Sequence, residues 1–169
     1  NYQVSAPELS EEAIKRLDVQ AGLRTAIELQ QLVLHYQPVL SLSTGRIVEL
    51  EALVRWRHPE KGLIMPGAFI DVAEKAGLMV PLGQWVLGQA SSQLKRWQEN
   101  GFQDLRVAIN LSPSQFHERN LVSSVERALS DCSLKPEALE IEITEGVAME
   151  DAEVTVANLM ALREMKVGI

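Results

Sequence analysis

Apolar residues recur along the chain at two different spacings, and these spacings predict the order of helices and strands. Ser10 is a predicted helix N-cap, because a polar side chain there precedes a helical run. Leu17 and Ala21 follow Ile14 by three and seven positions, which predicts a first helix with one apolar stripe. Gly22 interrupts this stripe and predicts a bend in the helix.

Two segments rich in strand-forming residues come next and predict a β-hairpin. They are residues 32–40 and 47–56, and Ser43-Thr44-Gly45 between them predicts a tight turn. Because so short a connection joins antiparallel neighbours, we expect the two strands to pair antiparallel. Charged residues occupy positions 49, 51, 55 and 57 of the second segment. All four positions share one side of a two-residue period, so one face of this strand is predicted to be unusually polar.

The rest of the chain alternates between helical and strand spacing. Helical stripes lie at residues 69–76, 86–97, 122–132 and 154–162, and strands are predicted at residues 105–111 and 139–144, with a further strand opening at 165–169. Helices long enough to serve as crossovers imply parallel strands. The predicted fold class is therefore α/β, with about three or four of the eight strands that a barrel needs.

Turn and capping residues predict where two of these helices begin or end. Gly77 is expected to end the helix at residues 69–76, because glycine readily adopts the left-handed conformation found after helix C-termini. Either Ser112 or Ser114 is expected to cap the helix that carries residues 122–132.

Composition and charge exclude several classes of function. The 169 residues are 46% hydrophobic and carry a formal net charge of −7, which argues against binding to nucleic acid polymers. No apolar run reaches the roughly 18 residues of a membrane helix. The single cysteine, Cys132, cannot form an internal disulfide, which fits a reducing compartment. We expect a cytoplasmic location, which includes the cytoplasmic part of a larger, membrane-anchored protein.

Three polar residues lie within predicted strands or at their C-terminal ends: Glu51, Asn110 and Glu142. In parallel α/β folds these ends form the catalytic face. Two carboxylates and one amide oxygen suit a hard divalent ion such as Mg²⁺ or Mn²⁺. Arg55 lies four residues beyond Glu51 on the same strand face, where a guanidinium could pair with a phosphate through two hydrogen bonds.

Ordinary ion pairs offer an interpretation of the same residues that needs no ligand. Glu51 then pairs with Arg55 or Arg57, and one of Glu140 and Glu142 is expected to face solvent. Motifs taken singly and out of context are weak indications of function. Spacing alone therefore leaves both interpretations open and names no reaction.

Five motifs in a fixed order indicate a protein family, which the spacing of single residues does not. They are Tyr36-Gln37-Pro38, Glu51-Ala52-Leu53-Val54-Arg55-Trp56, Phe69-Ile70-Asp71-Val72-Ala73-Glu74, Asn110-Leu111-Ser112-Pro113 and Glu142-Ile143-Thr144-Glu145. In order and separation these motifs resemble the EAL family of cyclic di-GMP phosphodiesterases. The resemblance covers roughly residues 20–169.

The resemblance implies a fold, a cofactor and a set of site residues. The family fold is a TIM-like (β/α)₈ barrel with one antiparallel strand, and this chain resembles its first half. Mg²⁺ or Mn²⁺ is the implied cofactor and cyclic di-GMP the implied ligand. The implied roles are metal binding by Glu51, Asn110 and Glu142, ligand contact by Gln37, Leu53 and Arg55, and stabilisation of a neighbouring loop by Glu145.

The implied reaction is hydrolysis of one phosphodiester bond of cyclic di-GMP to give linear pGpG. No catalytic residue is assigned in this chain, because the family's general base and its Asp-Asp pair are expected beyond Ile169. The 169-residue chain alone is therefore expected to be inactive. The alternative function is that of a receptor domain that binds cyclic di-GMP without hydrolysing it.

Domain organisation also follows from resemblance. Residues 1–20 resemble the tail of a GGDEF (diguanylate cyclase-like) domain with its connecting helix, and residues 21–169 resemble the N-terminal half of an EAL domain. A GGDEF–EAL tandem protein is therefore expected. A homodimer formed through the EAL domain is a further expectation.

Overall fold

The structure is a computed structural model that describes residues 6–143 and 152–169. Two compact units are present, one with residues up to Val33 and Arg55–Leu78, the other with Leu34–Val54 and Met79–Ile169. The helices are α1 (Ala6–Glu28), α2 (Ile70–Lys75), α3 (Met79–Glu99), α4 (Pro113–Phe116), α5 (Leu121–Asp131) and α6 (Ala152–Glu164). The strands are β1 (Leu32–Leu40), β2 (Ile47–His58), β3 (Gly62–Ile64), β4 (Arg106–Leu111) and β5 (Leu139–Ile143), and single 3₁₀ turns occupy Pro66–Ala68 and Pro136–Ala138.

The first unit is organised around Trp56, near the C-terminal end of β2. The indole is 2% exposed, lies edge-on to Phe69 with ring centroids 6.1 Å apart, and donates from Nε1 to Oε1 of Gln31 at 3.4 Å. Gly22 faces this ring, since a Cβ there would lie 2.9 Å from Cη2 of Trp56. The helix α1 continues through Gly22, and the predicted bend there stays a prediction. Gly22 permits close packing.

The second unit holds the parallel part of the sheet. The strand order is β1-β2-β4-β5, and β4 pairs in parallel with both β2 and β5. The predicted parallel arrangement is therefore confirmed. The strands bury apolar side chains on the face that receives the helices, and buried residues of the helices complete the core: Val107, Ile109, Leu139, Ile141, Leu94, Val125 and Leu162.

The connection between β1 and β2 confirms the predicted hairpin. The backbone N–H of Ser41 donates to the carbonyl of Arg46 at 2.9 Å, and Gly45 has φ of +66°. The two strands are neighbours in the sheet, and a connection this short cannot make a parallel crossover, so they run antiparallel. β2 also pairs antiparallel with the short strand β3, which the sequence patterns did not predict because three residues are too few to show a period.

Several helix boundaries differ from those predicted, and α3 begins at Met79, seven residues before the stripe at residues 86–97. The first helix begins at Ala6 rather than after Ser10. Pro7 is well suited to the first turn of a helix, where its missing N–H would have no partner in any case. The helix expected between Ser112 and residue 132 is two helices: α4 ends at Phe116, with His117 as its C-cap, and α5 begins after Asn120.

The predicted end of the helix at residues 69–76 is confirmed. Gly77 has φ of +66°, and its N–H donates to the carbonyl of Glu74 while that of Leu78 reaches Ala73 at 2.8 Å. This pair of hydrogen bonds is the usual glycine-terminated helix end.

The last residues continue the parallel sheet, as predicted for residues 165–169. Gly168 forms a parallel bridge with Glu140, donating to Leu139 and accepting from Ile141, both at 2.9 Å. The chain thus has an α/β fold with a mainly parallel sheet. Among residues 6–143 and 152–169, no helix is both long and apolar enough to cross a membrane.

Candidate metal centre

The structure brings Glu51, Asn110 and Glu142 together in the second unit, towards the C-terminal end of the parallel ladder. The strand register places Asn110 opposite Glu142, and Glu51 opposite Ala108. Nδ2 of Asn110 donates to Oε1 of Glu51 at 2.7 Å. Two carboxylates and one amide from three adjacent strands therefore share one edge of the sheet.

The donor atoms at this edge are suited to a hard cation. The Asn110 amide group uses its NH₂ for Glu51, so its Oδ1 is the atom that it can offer to a metal. Burial raises the pKa of Glu142, and the negative charges of Glu51 and Glu140 raise it further. In the described part of the chain, no three His, Cys, Asp or Glu side chains form a metal-binding group. The set is thus two carboxylates and an amide oxygen, which fits Mg²⁺ or Mn²⁺.

A second layer of charged residues lies on the same face, towards the N-terminal ends of the strands. Arg106 lies between two carboxylates, with Nη2 3.2 Å from Oε2 of Glu49 and Nη1 3.1 Å from Oε2 of Glu140. Burial raises the pKa of Glu49 to about 7, helped by a hydrogen bond to Glu140 and by its charge, while Arg106 opposes the rise.

This layer corrects two expectations from the sequence. Glu140 and Glu142 are both half-buried. The expectation that one of them faces solvent is wrong, because residues two apart in a strand point to the same face. The hydrogen-bond partner of Glu51 at 2.7 Å is Asn110, which the interpretation by ion pairs alone did not include.

The chain also matches a family model. The model described as EAL domain matches residues 20–169, which is most of the chain. The chain belongs to the EAL domain family.

Curated relatives support this membership. The bifunctional diguanylate cyclase/cyclic di-GMP phosphodiesterase MucR of Pseudomonas aeruginosa is 46% identical over 157 residues, which are 93% of this chain and 23% of MucR. The cyclic di-GMP phosphodiesterase PdeR of Escherichia coli is 35% identical over 164 residues, which are 97% of this chain and 24% of PdeR. The EAL chain described here thus spans less than a quarter of the length of these relatives.

Solved EAL structures agree with the fold. The MucR phosphodiesterase in complex with cyclic di-GMP has a TM-score of 0.85 and 46% identity, with 90% of this chain and 62% of that chain covered. The FimX EAL domain of Xanthomonas citri in complex with c-diGMP has a TM-score of 0.80 and 25% identity, with 95% and 61% covered. The predicted fold class, part of a TIM-like barrel, is confirmed.

The other site residues predicted from the EAL resemblance lie in several places. Gln37 is an exposed residue of β1, the neighbour of β2 in the sheet. Leu53 is half-buried and follows Glu51 by two residues on the same strand. Arg55 is half-buried and belongs to the first unit, and Glu145 lies outside the described residues. Their roles stay predictions.

Two polar residues of the EAL chain were missed at the sequence level. Arg106 precedes Asn110 by four residues, so strand alternation alone places both on one face of β4. Gln115 follows Ser112 by three residues, which is the spacing of a capping box. Both signals were available in the sequence, but neither reveals which distant group the side chain meets.

Proposed function

We propose that the full-length protein hydrolyses one phosphodiester bond of cyclic di-GMP to give linear pGpG, using Mg²⁺ or Mn²⁺. The observation that carries this proposal is the convergence of Glu51, Asn110 and Glu142 on one sheet edge in an EAL domain. The names of the relatives MucR and PdeR as cyclic di-GMP phosphodiesterases support the substrate class.

Each residue has a chemical task in this proposal. Glu51 and Glu142 supply anionic oxygen ligands, and Asn110 supplies a neutral one while its NH₂ group fixes the Glu51 carboxylate. A bound divalent ion would lower the pKa of the attacking water and neutralise negative charge on the phosphoryl oxygens. Arg55 is proposed to contact a phosphate of the ligand, where its planar guanidinium suits two parallel hydrogen bonds.

The ligand groove is proposed to include residues of the first two strands, β1 and β2. Gln37 on β1 is exposed, so its amide is available to a ligand, and Leu53 lies beyond Glu51 on β2. A polar amide and an apolar side chain beside a metal would contact the nucleotide rather than the reacting phosphorus. We therefore assign these two residues to binding and not to the chemical step.

The proposal is tested by incubating the purified full-length protein with cyclic di-GMP and Mg²⁺ or Mn²⁺, and separating products by chromatography. We expect pGpG to accumulate, and Glu51→Gln to reduce its rate by at least about a hundredfold, because a metal ligand is lost. Glu60→Gln is the matched control, since Glu60 is exposed in the turn between β2 and β3. Binding of cyclic di-GMP without any pGpG would contradict hydrolysis and favour the receptor function.

A further inference from the structure

Gln115 is a buried polar side chain that follows the strand carrying Asn110. It is 6% exposed, and its Oε1 accepts from the backbone N–H of Ser112 at 2.8 Å. Its Nε2 donates to the carbonyl of Met79, the first residue of α3, at 2.7 Å. Its own backbone N–H donates to the Ser112 hydroxyl at 3.4 Å, which completes a capping box at the start of α4. One side chain thus links the end of β4 to α3.

The surface of α3 has a notch that receives this amide. A Cβ built on Gly83 would overlap Nε2 of Gln115 and would lie 3.0 Å from its Cδ. Glycine lowers the stability of a helix interior relative to alanine, so helix propensity does not explain the glycine at this position of α3. The close approach of the Gln115 amide supplies a physical reason for a glycine there.

This link lies at the C-terminal end of β4, where the strand still pairs with β5 but no longer pairs with β2. The register between β2 and β4 ends at Ala52 and Ile109, whereas β5 continues to pair with Asn110 and Leu111. Asn110 is therefore held by the ladder on one side. Ser112 is two residues further along the chain, and its N–H bond to Gln115 fixes the direction in which the chain leaves the strand.

We propose that Gln115 is a positioning residue for the metal centre. It holds the end of β4 against α3 and thereby places the amide of Asn110 beside the carboxylate of Glu51, where both can meet a divalent cation. Gln115 itself contacts neither metal nor substrate and acts through the backbone of Ser112. This inference rests on the metal-dependent function proposed above. Residues that hydrogen-bond directly to metal ligands typically contribute about 10-fold to 100-fold to metal affinity, and Gln115, which acts one step further away, is expected at the lower end of that range.

The test compares two glutamines that bond to the backbone at opposite ends of β4. Gln115→Met keeps an unbranched side chain of similar length and removes both side-chain hydrogen bonds. Gln98→Met is the matched control, because Nε2 of Gln98 donates to the carbonyl of Leu105 at 3.3 Å, just before the strand begins. Mn²⁺ dissociation constants are measured by calorimetry on the full-length protein without nucleotide, and folding is checked by circular dichroism. We expect about a tenfold rise for Gln115→Met and an unchanged constant for Gln98→Met.

Each outcome decides between the two proposals. Native dichroism with unchanged Mn²⁺ binding in Gln115→Met overturns the positioning role alone, as does equal weakening in both variants. A wild-type protein that binds no Mn²⁺ overturns the metal-dependent function, and the positioning role with it. If Gln115→Met does not fold, Gly83→Ala decides, since it displaces the amide without removing it. The same tenfold rise is expected for that variant.

Discussion

Replacing helix glycines by alanine is expected to change stability in opposite directions at Gly88 and Gly22. Both residues lie inside helices, in α3 and α1 respectively. Alanine stabilises an exposed helix interior by about 0.8–1 kcal/mol relative to glycine. A Cβ on Gly88 meets no atom within 4 Å, so Gly88→Ala is expected to raise the free energy of unfolding by about 1 kcal/mol.

The same change at Gly22 meets the buried indole of Trp56. The new Cβ would lie 2.9 Å from Cη2 and 3.1 Å from Cζ2, closer than side chains normally approach. The indole cannot retreat freely, since it packs on Phe69 and donates to Gln31. Overpacking of this kind costs about 1–3 kcal/mol, and the helix gain of about 1 kcal/mol offsets only part of it. Gly22→Ala is therefore expected to lower the free energy of unfolding by about 1 kcal/mol.

Urea unfolding followed by circular dichroism at 222 nm measures both changes without relying on tryptophan fluorescence. A third variant isolates the cause: with Trp56→Leu already present, Gly22→Ala should become neutral or stabilising, because the clash is gone. If Gly22→Ala instead stabilises the wild-type protein as much as Gly88→Ala does, the close approach to Trp56 does not explain the glycine, and the reasoning is refuted.

Three further predictions concern charge. Asn110→Arg is expected to place a guanidinium beside the carboxylate of Glu51 and to abolish Mn²⁺ binding in calorimetry, with an unchanged dichroism spectrum. Burial raises the pKa of Tyr36 to about 12, although the charge of Arg96 opposes this rise. Since an unfolded tyrosine ionises near pH 10, stability should be complete below about pH 10 and fall as pH rises towards 12, and Tyr36→Phe should flatten this fall in alkaline unfolding curves. Arg106→Gln is expected to destabilise the protein by about 2 kcal/mol at pH 8 in urea unfolding, because carboxylates lose their paired cation, and a variant as stable as wild type would contradict the ion pairing.

Local chemistry made much of the fold predictable from sequence. The turn between β1 and β2 is encoded by Ser43-Thr44-Gly45, and Gly45 adopts the positive φ that such a turn needs. The strand at residues 32–40 was predicted at its observed bounds, because its residue types and its turn act over a few positions. One error occurred at a helix boundary that has a tertiary contact. His117 is the C-cap of α4, and its imidazole forms a hydrogen bond with the hydroxyl of Thr155 in α6 at 2.8 Å, a partner that no local pattern indicates.

The candidate site was predictable only in part, since its members are far apart in sequence. Asn110 and Glu51 are 59 residues apart, and their hydrogen bond depends on the register between strands. Register follows from packing on both faces of the sheet, which the spacing within one strand does not encode. Through resemblance, the motifs therefore grouped Glu51, Asn110 and Glu142, which the structure places next to one another. The spacing of single residues could not exclude that they form ordinary ion pairs instead. Arg106 was missed for the same reason, since its two carboxylate partners lie on other strands.

The two charged layers on the sheet face differ in how their negative charge is compensated. β2 and β5 each present two glutamates two residues apart, and β4 between them presents Arg106, Ala108 and Asn110 on that face. In the lower layer, the guanidinium of Arg106 lies within 3.2 Å of both Glu49 and Glu140, so this layer carries its own cation. In the upper layer β4 offers a neutral amide instead, which fixes one carboxylate but cancels no charge. Burial raises the pKa of the upper glutamate on β5, and repulsion from the neighbouring carboxylates raises it further. A cation from solution would relieve that repulsion, so two anions at these partly buried positions favour one. Arg106 and Asn110 lie on one strand, each between two glutamates, but only Arg106 carries a positive charge. This contrast supports a metal site at the C-terminal layer on electrostatic grounds that do not depend on family membership.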